Sequence, residues 1–369
     1  MNWIATDRGI SKYDKLKQSL QYFSLEQYWD NTTHSINVWA FCEDDKGVSW
    51  VGTEKGLCRI DRKKRRSFKV QNGEVDEVYA LCFDTKRRVL VGTNRGIFVA
   101  NKINDSIYTL MPFELPNFSK FTAPIYSILC DSKGNIWFGV INKGIYRYDG
   151  RNVSNFLYKY KHPIFGDKFE NYISDIIQDK NGNIWFSSWN GGGVWRYDGK
   201  DFKQFVPPIS YYKTNQDKRG IVTTQGYLNF NSNNNSFIQS EDYISDDMIF
   251  SMTEDNLGNI WFATRNHGIC YYNGKTFISI GSNKGFTSSS VSAILQDDKN
   301  NFWITTFDSG VWYYDGKIFK NFTENNGLVN NAVLNLVKDK DGNLWFGTKF
   351  VGLSRYDGKT FTTFSQYDN

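Results

Sequence analysis

Short apolar runs alternate with polar turns along the whole chain, and the runs are of two kinds. One kind alternates or is loosely apolar, as in "VSAIL" and "AVLNLV"; the other is continuously apolar, as in "NIWFGT". Runs this short, bounded by Gly, Asp and Asn and rich in Trp, Tyr, Phe, Ile and Val, predict strands. The continuous runs predict strands buried on both faces. In order, the pattern reads as an inner strand A, a D-x-x-G/N turn, a buried strand B, a Gly-containing hairpin and a strand C such as "GIYRYD" or "GVWYYD". Strand C ends at "DG" or "NG", a strong hairpin signal, and a closing strand D such as "TFTTF" or "DFKQF" follows.

This four-strand sentence repeats. With the tryptophan of "GNLW" as anchor, equivalent positions are Trp3, Trp50, Leu90, Trp137, Trp185, Trp261, Trp303 and Trp345. Their spacing of about 40–50 residues is that of a propeller blade. Six residues before all but the first anchor stands an aspartate: Asp44, Asp84, Asp131, Asp179, Asp255, Asp297 and Asp339. Its carboxylate can accept backbone N–H bonds in the turn, and the following glycine can take positive φ. Between Trp185 and Trp261 the spacing nearly doubles, and residues 207–245 read as a degenerate blade or an inserted hairpin. The expected fold is therefore all-β: one β-propeller domain over 1–369 of four-stranded blades, with eight secure repeat units and a ninth in the long gap. The first unit starts at strand B.

Composition changes this picture little. The chain has 369 residues, 40% hydrophobic and 22% charged, with aromatics raised to 17%. A formal charge of +5 permits an anionic partner without requiring one. No apolar run is long enough to span a membrane as a helix, and "NWIAT" after Met1 is not a secretory signal, so no membrane insertion is expected. As written, the chain reads as cytoplasmic. Cys42, Cys82 and Cys130 sit in apolar runs, and the 5 cysteines read as small hydrophobes of a reduced protein.

The motif D-x-x-G-N-[IL]-W-F-G-T, followed by G-[IL]-x-R-Y-D-G-K-x-F-x-x-F, resembles the two-component regulator propeller repeat of bacteria. The match is tight around Trp137, Trp185, Trp261, Trp303 and Trp345; "GVSWVGTEKGLCRID" and "RRVLVGTNRGIFVAN" keep only the skeleton. The resemblance implies a sensor-type signalling module, extracytoplasmic and thus periplasmic where such a chain is part of a sensor ectodomain, and implicated in carbohydrate sensing. Its partner would be an oligosaccharide or other small molecule, or a signalling protein in a protein–protein interaction. Propellers of that family usually carry seven blades, from which a count of eight or nine departs. The repeat motif is architectural, so it implies no catalytic residue.

In a propeller, B–C hairpins and D–A connections emerge on one face, and the uniform A–B and C–D turns on the other. Variable side chains on the first face are where binding is expected. The candidate ligand-binding set is Arg8, Lys55, Arg95, Lys143, Trp189, Asn190, Arg265, His267, Phe307, Asp308 and Lys349. Its cations would focus a positive field on an anionic or sugar-like ligand. Loop aromatics Trp29, Tyr158 and Tyr160 add stacking surfaces. The only histidines, His34, His162 and His267, fall in loops of the same face. An alternative is thus a metal-assisted lyase or hydrolase, similar to streptogramin lyases, with a histidine base and carboxylates such as Glu54, Asp308 or Glu170. A third reading is a pure protein-interaction scaffold.

Other strings carry no chemistry. "DKDGN" at 339–343 starts like a calcium loop but lacks its closing glutamate. "RKKRR" at 62–66 lacks interleaved aromatics, so it reads as a solvated hairpin and no nucleic acid is expected. "WNGGGVW" is followed by neither GK[ST] nor a helix. No metal site and no cofactor are implied.

Overall fold

The structure is a computed structural model that describes residues 3–6, 9–14, 19–24, 38–44, 48–61, 66–69, 77–103, 108–116, 123–141, 143–156, 172–189, 193–205, 248–280, 285–339, 342–349 and 352–365. Its strands form seven four-stranded antiparallel sheets and one three-stranded sheet, Trp3–Thr6, Gly9–Asp14 and Ser19–Ser24. The four-stranded sheets are blades one to seven, spanning 38–69, 78–112, 128–156, 173–205, 249–280, 291–322 and 333–365. Each is a propeller-type meander, confirming an all-β propeller fold. The expected eight or nine repeat units is corrected to seven blades. Among the described residues, the unit anchored at Trp3 forms the three-stranded sheet; 207–245 lies outside them.

The chain divides into two compact units, 1–158 and 159–369. In the first, strand A of blade two (Val78–Phe83) packs between those of blades one (Val38–Glu43) and three (Ile128–Cys130). In the second, the inner strands of blades four to seven follow one another in the same way. Strand B is buried along its whole length in every blade, as its continuous apolar sequence requires. The anchors fill the space between blades: Trp185 packs on Phe262 and Tyr272 of the next blade, and Trp303 on Phe346 and Tyr356. Each such ring taken out of water contributes about 1.5–3 kcal/mol, which one blade alone cannot secure.

The A–B turn is a lock. In blade four, Asp179 Oδ1 accepts the backbone N–H groups of Asn181 (3.0 Å) and Asn183 (2.8 Å). Its Oδ2 accepts Asn183 Nδ2 and the indole Nε1 of the anchor Trp185, both at 2.8 Å. The same four bonds recur around Asp131 and Asp255. Where the anchor is Leu90, Arg88 takes the place of the indole on Asp84. Across the sheet from the anchor, the Arg of "RYDG" lies over the indole: Arg147 over Trp137, Arg196 over Trp185 and Arg355 over Trp345. These charges are therefore architectural. The C–D turns of blades three to seven share one pattern: in blade four, Tyr197 Oη donates to Gly199 O, and Asp198 Oδ1 accepts the N–H groups of Lys200 and Asp201.

Candidate recognition face

The residues that vary lie at the other edge of each blade. In five blades strand B ends in a threonine that shapes the B–C hairpin. Thr53 Oγ1 donates to Gly56 O (2.9 Å) and accepts Lys55 N–H (3.0 Å), and Thr93 does the same with Gly96 and Arg95. The hairpins of blades five and six are one residue longer. There Thr264 and Thr306 donate to Gly268 and Gly310, and accept the N–H groups of His267 and Ser309. Each hairpin is tied to the residue just before strand A: Asn94 N–H to Glu77 O, Arg265 to Met248, Phe307 to Ser290 and Lys349 to Ala332. Within a blade, hairpin and D–A approach therefore share one edge, as the sequence leads one to expect.

On these hairpins Lys55, Arg95 and Lys143 are exposed in the first unit, and Arg265, Asp308 and Lys349 in the second. Trp189 is exposed just beyond strand B of blade four. Phe307 packs on Phe250 of the preceding blade at a ring separation of 4.7 Å, and Asp308 Oδ1 accepts Ser288 Oγ at 3.4 Å. His267 is half-buried and occupies a hairpin position equivalent to that of Ser309. Arg8, Asn190, His34, His162, Trp29, Tyr158, Tyr160 and Glu170 lie outside the described residues. Among the described residues, no three His, Cys, Asp or Glu side chains are grouped to share a metal ion.

A second set of residues on this edge escapes sequence reasoning. In six blades strand A begins with a bulge: Val38 pairs with Thr53 and Ala40 with Gly52, leaving Trp39 without a partner on strand B. The corresponding bulged residues are Tyr79, Ser174, Phe250, Ser292 and Leu334. Blade three has Tyr126 at the equivalent place, ahead of its shorter inner strand. A bulge re-aims one side chain out of the sheet. In the first unit these side chains form a row. Trp39 stacks on Tyr79 with ring centroids 5.0 Å apart, and Tyr79 meets Tyr126 at 4.4 Å. Trp39 keeps 42% of its surface open. Tyr79 Oη donates to Glu77 Oε2 at 2.6 Å, and burial, aided by this bond, holds its phenol protonated well above the ordinary range.

In the second unit the same positions are spent on structure. Ser174 Oγ donates to Ile249 O at 3.0 Å and Ser292 Oγ to Val333 O at 2.6 Å, each reaching the next inner strand. The first unit thus presents a row of aromatic rings, one pair stacked and one tilted, on the same blade edge as the hairpins that carry Lys55, Arg95 and Lys143. Such a row can stack on a planar or sugar-ring ligand, and the cations can pair with its acidic groups.

A family model described as two component regulator propeller matches residues 120–142, 167–190, 243–266, 285–308 and 327–350. No curated protein matches the chain. Among solved structures, a streptogramin B lyase is similar at 14% identity, covering 89% of this chain and 93% of its own, with a TM-score of 0.55. Virginiamycin B lyase from Staphylococcus aureus is similar at 16% identity, with 84% and 91% covered and a TM-score of 0.54. At such identities these two likenesses show a shared fold alone. The extracellular domain of a hybrid two component system from B. thetaiotaomicron aligns at 16% identity over 98% of this chain, with a TM-score of 0.46. This chain spans about half of that domain's length, 53%.

Proposed function

We propose that this chain, which carries two-component regulator propeller repeats, is a non-catalytic recognition module that binds an acidic oligosaccharide on the edge bearing its B–C hairpins. The observation that carries the reading is the row Trp39, Tyr79 and Tyr126: Trp39 and Tyr79 are turned out of their inner strands at a bulge, and Tyr126 stands at the equivalent place ahead of its own. Sugar rings stack on the aromatic faces, and Lys55, Arg95 and Lys143 attract the carboxylate or sulfate groups. Arg265, Phe307, Asp308 and Lys349 occupy the corresponding blade edges of the second unit. Signalling output passes to a protein partner. An extracytoplasmic placement accords with an oligosaccharide ligand.

The test is isothermal titration of the full chain with oligogalacturonate, and with maltohexaose as the neutral comparison. Stacking on an open indole contributes about 1–1.5 kcal/mol, so Trp39→Ala weakens oligogalacturonate binding about tenfold. Arg95→Ala weakens it less, and its effect shrinks in high salt. Equal affinity of the Trp39→Ala protein and the unmodified chain for oligogalacturonate, or no binding by either, would overturn the reading.

A further inference from the structure

We propose that Cys82 and Cys130 are the site of an oxidative modification, a disulfide that joins the inner strands of blades two and three. Their Sγ atoms lie 2.7 Å apart. That is well inside the ordinary non-bonded separation of two sulfurs and only about 0.7 Å beyond an S–S bond. Both side chains are half-buried in the apolar cluster of Leu90, Ile128 and Ile136, surroundings that suit a neutral disulfide better than a metal-bound thiolate.

The position of Cys130 carries a second, independent argument. It is the residue just before the turn aspartate, and in other blades that residue ties its inner strand to the turn of the preceding blade. Glu254 Oε2 accepts Lys180 N–H at 2.9 Å, Gln296 Oε1 accepts Asn256 N–H at 2.7 Å, and Lys338 Nζ pairs with Asp298. Cys130 stands where those blades place a polar tie, and it reaches Cys82 of the preceding blade. A covalent link there replaces the polar one. Sequence alone reads these thiols as reduced core residues, since they are far apart along the chain and share no recognisable spacing.

The oxidant is a disulfide, either a small molecule or a thiol–disulfide oxidoreductase. One protein thiolate attacks it and releases the first reduced thiol, and the second protein thiolate attacks the mixed disulfide and releases the other. The two cysteines lose two protons and two electrons, which the oxidant takes up. The Cys130 contact and then burial push the Cys82 thiol above its ordinary range, so the reaction is slow and favoured by alkaline solution. What the aromatic row binds has no bearing on this chemistry.

The test is to incubate the full chain with oxidised glutathione at alkaline pH, alkylate with N-ethylmaleimide, and map peptides without reduction. The expected product is a peptide pair joined through Cys82 and Cys130, lighter by two hydrogens than the reduced pair. Closing a loop of this size raises the Tm by about 5–10 °C over the reduced protein. Cys82→Ser and Cys130→Ser each abolish both effects, while Cys42→Ser preserves them. Should either serine variant fail to fold, the peptide map of the unmodified chain decides alone. Complete alkylation of all cysteines after oxidation, glutathione retained on one sulfur, or a different pair joined would overturn the proposal.

Discussion

Replacing Asp179 with asparagine tests the A–B lock with almost no change in shape. The carboxylate is 7% exposed and accepts four hydrogen bonds, two on each oxygen. Asparagine keeps one oxygen for the backbone N–H groups of Asn181 and Asn183. Its amide nitrogen then faces two further donors, Asn183 Nδ2 and Trp185 Nε1, and Trp185 is 2% exposed with no water to turn to. Bonds to a charged acceptor contribute about 1.5–3 kcal/mol each, and a buried donor left unpaired costs about 1–3 kcal/mol. Asp179→Asn is therefore expected to destabilise by about 3–5 kcal/mol, read as a lower urea midpoint by tryptophan fluorescence at unchanged slope. The same blade supplies a control. Asp198, in the C–D turn, uses only Oδ1, and blade five has Asn273 in that place with the same two backbone bonds. Asp198→Asn should leave the midpoint where it is. Equal shifts for the two variants would refute the claim that the buried aspartate acts through its indole and amide donors.

Two glycines separate backbone strain from collision. Gly182 has φ 83°, and an added Cβ would meet only Gln178 Nε2 at 3.8 Å, so Gly182→Ala costs about 1–2 kcal/mol by calorimetry. At Gly310, φ 80°, the same Cβ would lie 2.1 Å from Phe322 O, so Gly310→Ala costs several-fold more, and comparable losses would contradict the geometry. Asp175 supplies a pH test. Burial pushes its carboxyl up to about 6, although the N–H groups of Met252 (3.0 Å) and Ile176 (2.9 Å) pull the other way. Because the folded value lies above the unfolded one, its contribution is full below about pH 4 and is lost as pH rises through about 6. This loss amounts to about 2–3 kcal/mol. Urea midpoints at pH 4.5 and 7 should differ less in Asp175→Asn than in the unmodified chain, and an identical difference would rule out Asp175 as the source.

Much of the frame is legible in the sequence because a strand buried on both faces has no polar position, and "NIWFGT" has almost none. The D-x-x-G turn is legible for a similar reason, since few residues suit a positive φ and a carboxylate-capped loop. What the turn aspartate does with its second oxygen is not legible, because the indole it holds stands six positions away along a strand. The blade count differs at Trp3, whose sheet has three strands among the described residues, so an anchor alone does not mark a four-stranded blade. That Lys55, Arg95, Lys143, Arg265 and Lys349 stand on exposed hairpins is readable from their place in the repeat, and the hairpin position of Phe307 likewise. The aim of Trp39, Tyr79 and Tyr126 is not, since "NVWAF", "EVYAL" and "PIYSI" read as ordinary apolar strand starts. Only the inserted residue of a bulge changes which way such a side chain points, and in these three stretches the apolar residues on either side of it hide the shift in alternation.

That single inserted residue explains how a repeat so uniform can be specific. The anchor and the turn aspartate, and in the blades that carry them the strand C tyrosine and the strand-end threonine, are committed to hydrogen bonds or to the core. Altering any of them costs stability before it alters recognition. The bulged residue is held in place by the sheet but owes it no ladder bond, so its side chain is free to vary. Blades four and six use serine there to reach the next inner strand, and blade five turns Phe250 onto Phe307. Blades one to three instead place three aromatic rings in succession and leave the outermost 42% exposed. An open indole of that size in water leaves part of its hydrophobic contribution unrealised, whereas Ser174, Ser292 and Phe250 are engaged by their neighbours. The stabilisation forgone at Trp39 is available to a ligand that covers it, which is the physical ground for proposing the binding surface on the first unit.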